Sequence, residues 1–460
     1  MALGLPILWL WPGCGSRSPL DDYDYETDAG QGGSGGSGGA EAGVDTGLDA
    51  PQDAPLDVPQ DAPLDVPNDV PHDVPQDVPH DVPQDVPLDV PQDVVIDVSS
   101  DGPCPDDDHD GWTTCDGDCD DHNPLVNPGA YDFVNGIDDD CDGAIDNAVT
   151  DCSDGLAYTS QDARDYALAI DICHDTLLVE PLPDRRWGLI SSELRLSDGT
   201  GAPSPQAHAI ISSFGSVIGP RKNSNMAYIS TGEAATPSQP YFTSETPQTG
   251  TQMLPPGPVM GGYPLPAGFP TNKQGCAVPV GAAFDPVDLK LTIRVPTNAF
   301  SFAFDHSFFS AEYPEYACTM YNDIWAVLLH STAAGIANNH DIVFDAQGTP
   351  GSVNSNFFDL CVAGPTGCSG GVPGFNFCAG GSGALAGTGY DGFDAPCNNV
   401  PSSIGGGTGW VTTEAPVTPG EIMTIEFMVW DSSDGIYDSA AIFDNFRWQQ
   451  TKLATPDSHR

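Results

Sequence analysis

Proline recurs every four residues from Pro51 to Pro91, eleven times in all, and aspartate keeps the same period from Asp45 to Asp97. Proline has no backbone N–H and clashes with a preceding helical turn, so this density forbids both helix and sheet. What remains is extended polyproline II backbone, which regularly spaced aspartates stretch further by repulsion. At roughly 3 Å per residue, about fifty such residues reach about 150 Å. The expectation is a spacer that holds the rest of the chain away from an attachment point. A ligand for a proline-reading partner is the alternative use of the same composition. Residues 15–44 before it are mostly Gly, Ser, Asp and Ala, with GQGGSGGSGGAEAG as a flexible linker. Residues 15–100 therefore read as one disordered linker and stalk.

The charge balance narrows the partners. Between residues 18 and 150 there is no Lys or Arg against 35 acidic residues, and the whole chain carries a formal net charge of -53. Nucleic acid and anionic membrane surfaces are excluded as partners, whereas divalent cations are favoured. The first residues, MALGLPILWLWPGCGS, hold an apolar run from Ala2 to Trp11 that is too short to span a bilayer. It is followed by Gly13 and Cys14. This segment, 1–14, resembles a bacterial lipoprotein signal, which implies lipidation of Cys14 and membrane attachment through that anchor only. It lacks the usual basic n-region, and an ordinary cleaved signal with a spare cysteine is the alternative. The other twelve cysteines all lie from residue 104 onward: Cys104, Cys115, Cys119, Cys141, Cys152, Cys173, Cys276, Cys318, Cys361, Cys368, Cys378 and Cys397. An even count in an exported chain points to disulfides.

Residues 101–150 form an Asp/Cys-rich module. Calcium takes six to eight oxygen ligands, and a D-x-D-x-D-G loop supplies carboxylates at alternate positions before a glycine that permits a sharp turn. One copy is Asp106, Asp108 and Asp110 before Gly111, with Trp112 offering a carbonyl. A second is Asp138, Asp140 and Asp142 before Gly143, with Ala144 offering the carbonyl and Asp146 two residues on. Asp116, Asp118, Asp120 and Asp121 lie between them and could complete either site. Neither copy has Glu at the twelfth position or flanking helices, so these are not EF-hands. Three other readings compete: zinc on His109, Cys115, Cys119 and His122, copper using His109, His122 and Trp112, or a purely solvating acidic segment. Hard carboxylates and an oxidising compartment favour calcium. Because the loops have almost no apolar core, bound calcium would contribute folding energy.

The stretch DHDGWTTCDGDCDDHNPLVNPGAYDFVNGIDDDCDGAIDN resembles the MopE-type metal-binding motif of bacterial surface proteins, over about 104–147. The shared elements are D-x-D-G-aromatic, D-C-D-D, P-G-A and N-G-x-D-D-D-C-D-G. Many members carry Cys before N-G, where Val134 stands here. The remaining four cysteines suffice for two disulfides, and the resemblance is read as Cys104–Cys115 and Cys119–Cys141. The family's name suggests copper.

Residues 151–450 form the globular part, and 451–460 a tail. TSQDARDYALAIDIC opens it as a short helix, with Ser160 as cap, Asp162 and Asp165 in the first turn, and Ala163, Tyr166, Ala167 and Ile170 as the apolar face. LKLTIRVP, FSFAFDHSFF, IWAVLLHS, HDIVFDA and MTIEFMVWD follow as β-rich runs among Gly, Pro and Asn. The fold class expected is all-β: a jelly-roll-like β-sandwich with one leading helix. CSDGL at 152, Phe302 and Phe304, Glu312-Tyr313 with Glu315-Tyr316, and Asn322-Asp323 begin a further pattern. Pro419-Gly420-Glu421, Asp431, Asp434-Gly435, Tyr437-Asp438-Ser439 and Asp444-Asn445 complete it. Together they resemble the choice-of-anchor L family, over about 152–450. That family implies a surface protein with no established catalytic activity.

Asp431, Asp434, Asp438 and Asp444 gather at a predicted strand end, and with Glu312, Glu315 and Asp323 they make a possible second metal site; a solvated turn is the plain alternative. Glu312 and Glu315 could instead serve glycoside hydrolysis as a carboxylate pair. GCSGG at 367–371 is similar to a protease segment but lacks its nucleophile motif, and no G-x-S-x-G, H-E-x-x-H or P-loop occurs. The reading is an exported, surface-anchored lipoprotein that is not an enzyme, located at the outer membrane or cell surface. Its sandwich binds a surface or matrix ligand, glycan or protein, with a secreted hydrolase as the alternative.

Overall fold

The computed structural model describes residues 104–147, 150–232, 262–391 and 405–460, and between the last two only 393–394, 397 and 402–403. Cys14, the linker and the proline-repeat stalk lie outside the described residues. The strands are β1 (Gly188–Arg195), β2 (His208–Ile211), β3 (Met226–Ser230), β4 (Ala283–Arg294), β5 (Ser301–Ser310) and β6 (Ile324–His330). Two short ladders come next, β7 (Gly364–Thr366) with β8 (Gly374–Asn376) and β9 (Phe393–Asp394) with β10 (Ser402–Ser403). The last are β11 (Gly406–Gly407), β12 (Val411–Pro416), β13 (Ile422–Ser432), β14 (Ser439–Gln449) and β15 (Asp457–His459).

Two antiparallel sheets pack face to face. One has the order β1-β4-β13-β6; the other has β15-β12-β5-β14-β3-β2, with β11 also on β5. The period of two decides which side chains meet. Met423, Ile425, Phe427 and Val429 of β13, Trp325, Val327 and Leu329 of β6, Phe302, Phe304 and Phe308 of β5, and Ala441 and Phe443 of β14 fill the space between the sheets. Phe427 and Phe443 stack across it with centroids 4.5 Å apart. The opposite faces are covered as well. Tyr263, Leu265 and Phe269 lie over Met428 and Trp430, and Phe214, Leu385 and Tyr390 lie over Phe309 and Ile442. Central strands buried on both faces read as nearly unbroken apolar runs, which is why four of the five runs read from the sequence are strands.

The fifth, HDIVFDA, is not a strand. Ile342 and Val343 are fully buried, but the chain turns back at Asp345, whose Oδ1 accepts from Gln347 and Thr349 N–H, leaving only isolated bridges. The tail is not free either, since β15 pairs with β12 and covers its open edge. The leading helix α1 (Ala163–Ala169) packs over β1, β2 and β3 through the predicted face. Its cap is Asp162, which accepts from Arg164 N–H at 3.0 Å. Ser160 sits two residues too early for that bond and donates to Asp165 instead. All twelve described cysteines are paired: 104–115, 119–141, 152–173, 276–318, 361–378 and 368–397. Among the described residues no helix is long and apolar enough to cross a membrane.

His306 sits at 1 % exposure between the sheets. Trp325 Nε1–H donates to its Nδ1 at 3.0 Å, and its Nε2 lies 2.9 Å from Thr413 Oγ1. An indole can only donate, so Nδ1 is bare and Nε2 carries the hydrogen. Burial lowers the pKa to about 3, from an ordinary 6.5. The folded protein thus binds fewer protons than the unfolded chain between these values, and stability present above pH 6.5 falls as pH drops toward 3. The slope from this group is about 1.4 kcal/mol per pH unit. Urea unfolding at two pH values within this window should give a stability change more positive with rising pH, by about this slope, in the wild type than in His306→Gln. An identical pH dependence in the two proteins would refute the assignment.

Candidate metal centre

The two D-x-D-x-D-G loops fold alike, down to individual hydrogen bonds. In the first, Gly111 N–H donates to Asp106 Oδ2 (3.1 Å), Asp110 N–H to Asp108 Oδ1 (3.2 Å) and Trp112 N–H to Asp110 Oδ1 (2.7 Å). In the second, Gly143 donates to Asp138 Oδ2 (3.0 Å), Asp142 to Asp140 Oδ1 (3.2 Å) and Ala144 to Asp142 Oδ1 (2.8 Å). An asparagine amide then secures the third aspartate in each: Asn127 Nδ2 on Asp110 Oδ2 at 2.8 Å, and Asn147 Nδ2 on Asp142 Oδ2 at 2.6 Å. Both glycines have φ of 94°, which only glycine adopts without strain. The three carboxylates of each loop bring oxygens within 4.8 Å of one another.

One buried aspartate from between the loops is close enough to the first to feel its charge. Asp118 is 5 % exposed, and its Oδ2 has no hydrogen-bond partner, as is also true of Asp106 Oδ1 and Asp108 Oδ2. Burial raises the pKa of Asp118, and Asp110, Asp108 and Asp121 add to it. Burial likewise raises Asp110, with Asp108 and Asp106 repelling it. In the second loop Asp140 is pushed up to about 6 by burial and by Asp142, Asp132 and Asp138. Asp132 was not singled out from the sequence; it sits outside the D-x-D-x-D-G loop and reaches it through Asn147 N–H (2.7 Å) and Asp139 N–H (3.2 Å).

The other predicted ligands have different work. Asp146 accepts from Asn135 and Gly136 N–H and closes a turn. Asp121 Oδ1 accepts from Asp107 N–H, Asp120 is exposed, and Asp116, half-buried, is bound by the Thr113 hydroxyl. Cys104–Cys115 and Cys119–Cys141 are bridged, so neither pair offers thiolates, and the zinc set of His109, Cys115, Cys119 and His122 is broken up. His109 turns to the Asp107 carbonyl (3.2 Å) and His122 to the Asp107 carboxylate (3.9 Å), both outside the triads. The available donors are oxygens, and bare buried carboxylate oxygens fit a hard cation.

The module is docked on the sandwich at the turn between β4 and β5. Asn298, fully buried, donates to the carbonyls of Leu125 (3.2 Å) and Tyr131 (2.9 Å) and accepts from Tyr131 N–H (2.8 Å). Thr297 Oγ1 donates to Asn127 Oδ1 at 2.7 Å, the same Asn127 that holds Asp110. Tyr131 packs on Trp187 with centroids 5.3 Å apart.

Within the sandwich, the acids at one end separate into two groups. Glu312, Asp323, Asp431, Asp434 and Asp438 act on one another electrostatically, with Glu315 acting on Glu312. Burial pushes Glu312, Asp323 and Asp431 far above the usual carboxylate range. Glu312 is enclosed, at 2 % exposure. Asp444 is elsewhere: it accepts from Arg221, Lys222 and Asn445 N–H, near Asp171. Its place in the sequence suggested membership, but it is inside β14, several residues from the end that carries the cluster.

Residues 289–446 match the family described as Choice-of-anchor L domain, and residues 118–147 match that described as "Putative metal-binding motif", of the copper-binding MopE type. The chain carries both, within narrower limits than the resemblances drawn from the sequence: the first loop precedes the motif match, and α1 to β3 precede the domain match. No curated protein and no solved structure matches the chain. The surface domain and the disulfides together mark an extracytoplasmic protein.

If the Asp106–Asp118 cluster is a cation cage, its charge is costly when empty. Asp118→Ala should raise the metal-free melting temperature by a few degrees and weaken metal uptake about tenfold or more. Calorimetry with and without chelator reads both. A variant that binds metal as tightly as the wild type would remove Asp118 from the site.

Proposed function

We propose that the chain is an exported lipoprotein, anchored at Cys14 and raised on its stalk, whose Asp/Cys module binds calcium and whose sandwich binds a cell-surface or matrix ligand, a glycan or a protein, without catalysis. The observation that carries the metal part is the trio of bare oxygens on Asp106, Asp108 and Asp118, set in an all-oxygen environment. Calcium is a hard ion that accepts many oxygens in irregular geometry, whereas copper and zinc prefer imidazoles and thiolates, and in the first loop the only imidazole, His109, turns away from the triad to the Asp107 carbonyl. Asp106, Asp108, Asp110 and Asp118 would hold one ion, and Asp138, Asp140 and Asp142, with Asp132 beside them, another. The ion would supply the positive charge that the module's own side chains lack.

Binding would be felt beyond the module. Asn127 is held by the Asp110 carboxylate on one side and by Thr297 on the other. Fixing Asp110 therefore fixes the approach of the module to the β4–β5 turn, and calcium acts as a stiffener of the junction between stalk and sandwich. The extended acidic stalk and the surface domain suit a protein that presents a binding face at a distance from its membrane.

Calcium at about a hundred times its dissociation constant should stabilise the full chain by about 2.7 kcal/mol per site. Scanning calorimetry in calcium, copper, zinc and chelator reads the preference, and Asn127→Ala should lower the calcium gain felt by the sandwich transition. A larger shift with copper than with calcium, or none with calcium, would sink the assignment.

A further inference from the structure

The inward rows of the sandwich end on polar residues at one end. On β13 the row Met423, Ile425, Phe427, Val429 continues to Asp431; on β6 the row Leu329, Val327, Trp325 continues to Asp323, just before the strand. On the facing sheet the β5 row ends at Ser310 and then Glu312, and the β14 row begins at Ser439, which pairs with Ser310. The pleat alone therefore brings carboxylates from both sheets into one interior space. Ser439 Oγ donates across it to Asp323 Oδ2 at 2.6 Å, and Ser432 N–H holds Asp323 Oδ1 at 3.0 Å.

Two further acids there are deeply buried. Asp431 is 2 % exposed; its carboxyl lies against that of Asp323, and no donor is well aligned on either of its oxygens, the nearby Thr231 hydroxyl being directed at the Ser439 carbonyl. Glu312 is equally buried, and its Oε2 is without a partner. The charged groups that act most on Glu312, Asp323 and Asp431 are other acids, Asp285 included. Asp285 comes from the point where β4 inserts an extra residue opposite β13, between Val287 and Phe284. Even the backbone makes room: a Cβ on Gly232 would lie 2.1 Å from Asp438 Oδ2.

We propose that Glu312, Asp323 and Asp431, with Asp434 and Asp438 at the rim, form a second calcium site, enclosed between the two sheets and independent of the Asp loops. Buried carboxylates stay protonated unless a counter-charge accompanies them; a divalent ion with oxygen ligands would displace those protons and tie the sheets together. Tyr316 and Tyr437, 5.5 Å apart, flank the site beside Glu312 and Glu315. They make terbium a usable probe in calcium's place.

The test uses the full chain with Asp108→Asn and Asp140→Asn, which disables both loops. After dialysis against micromolar calcium, elemental analysis should find one ion retained per chain, and terbium should give tyrosine-sensitised emission that calcium displaces. Adding Glu312→Gln or Asp431→Asn should reduce that emission about tenfold or more. Where Asp431→Asn does not fold, Glu312→Gln and the terbium signal of the loop-disabled protein decide. A folded, loop-disabled protein that retains no calcium and gives no sensitised emission overturns the proposal, as does full retention in the Glu312→Gln, Asp431→Asn double variant. Failure of the loop reading looks different: wild type and loop-disabled protein would then retain equal calcium.

Discussion

In β13 the side chains of Met423, Ile425, Phe427 and Val429 enter the space between the sheets, because a pleated strand alternates its faces. The same alternation places Met428 and Trp430 on the outer face, where the 263–269 loop covers them. No residue of this strand chooses its side independently of its neighbours. Once the apolar row is fixed by burial, Asp431 must point inward too. The cluster at the end of the sandwich is thus a consequence of register: sliding β13 by one residue would turn its apolar row to the outer face and withdraw Asp431 together.

What could be read in the sequence divides along this line. Strands β4, β5, β6 and β13 were legible because both faces are covered and the runs are apolar throughout. Strands β2 and β3 are short, and β12 is mixed in polarity, so composition alone did not separate them from loops. HDIVFDA has the composition of a strand, but Asp345 binds its own backbone and turns the chain. The turns of the two Asp loops were legible, since each D-x-D-x-D-G is a local structure made by contacts within six residues. What local pattern could not show was the third dimension. Asp118 and Asp132 come to their loops from a distance, Asp146 leaves, and Asp444 lies in another polar group. The disulfides made this easier, because bridging the cysteines removes the thiolate rivals for the same loops.

The module and the sandwich share one short seam. Asn298 fills three hydrogen bonds to the module from a position with no solvent contact, so its removal would leave carbonyls of Leu125 and Tyr131 without donors. Asn127 is the other half of the seam, with its amide nitrogen on a metal-loop carboxylate and its oxygen on Thr297 and Gly129. A polar seam of this kind is directional in a way that an apolar one is not: it specifies one docking angle.

The bridges of the module also set how it carries tension. A pull arriving from the N-terminal side reaches Cys104 and crosses directly to Cys115, so it never runs through residues 105–114. At Cys119 it crosses to Cys141, skipping 120–140, and at Cys152 to Cys173. The first loop triad, Asp132 and Asn127 all lie off this covalent path. Pulled from that side, the chain would therefore load sulfur–sulfur bonds first, while the first Asp triad and the seam stay slack.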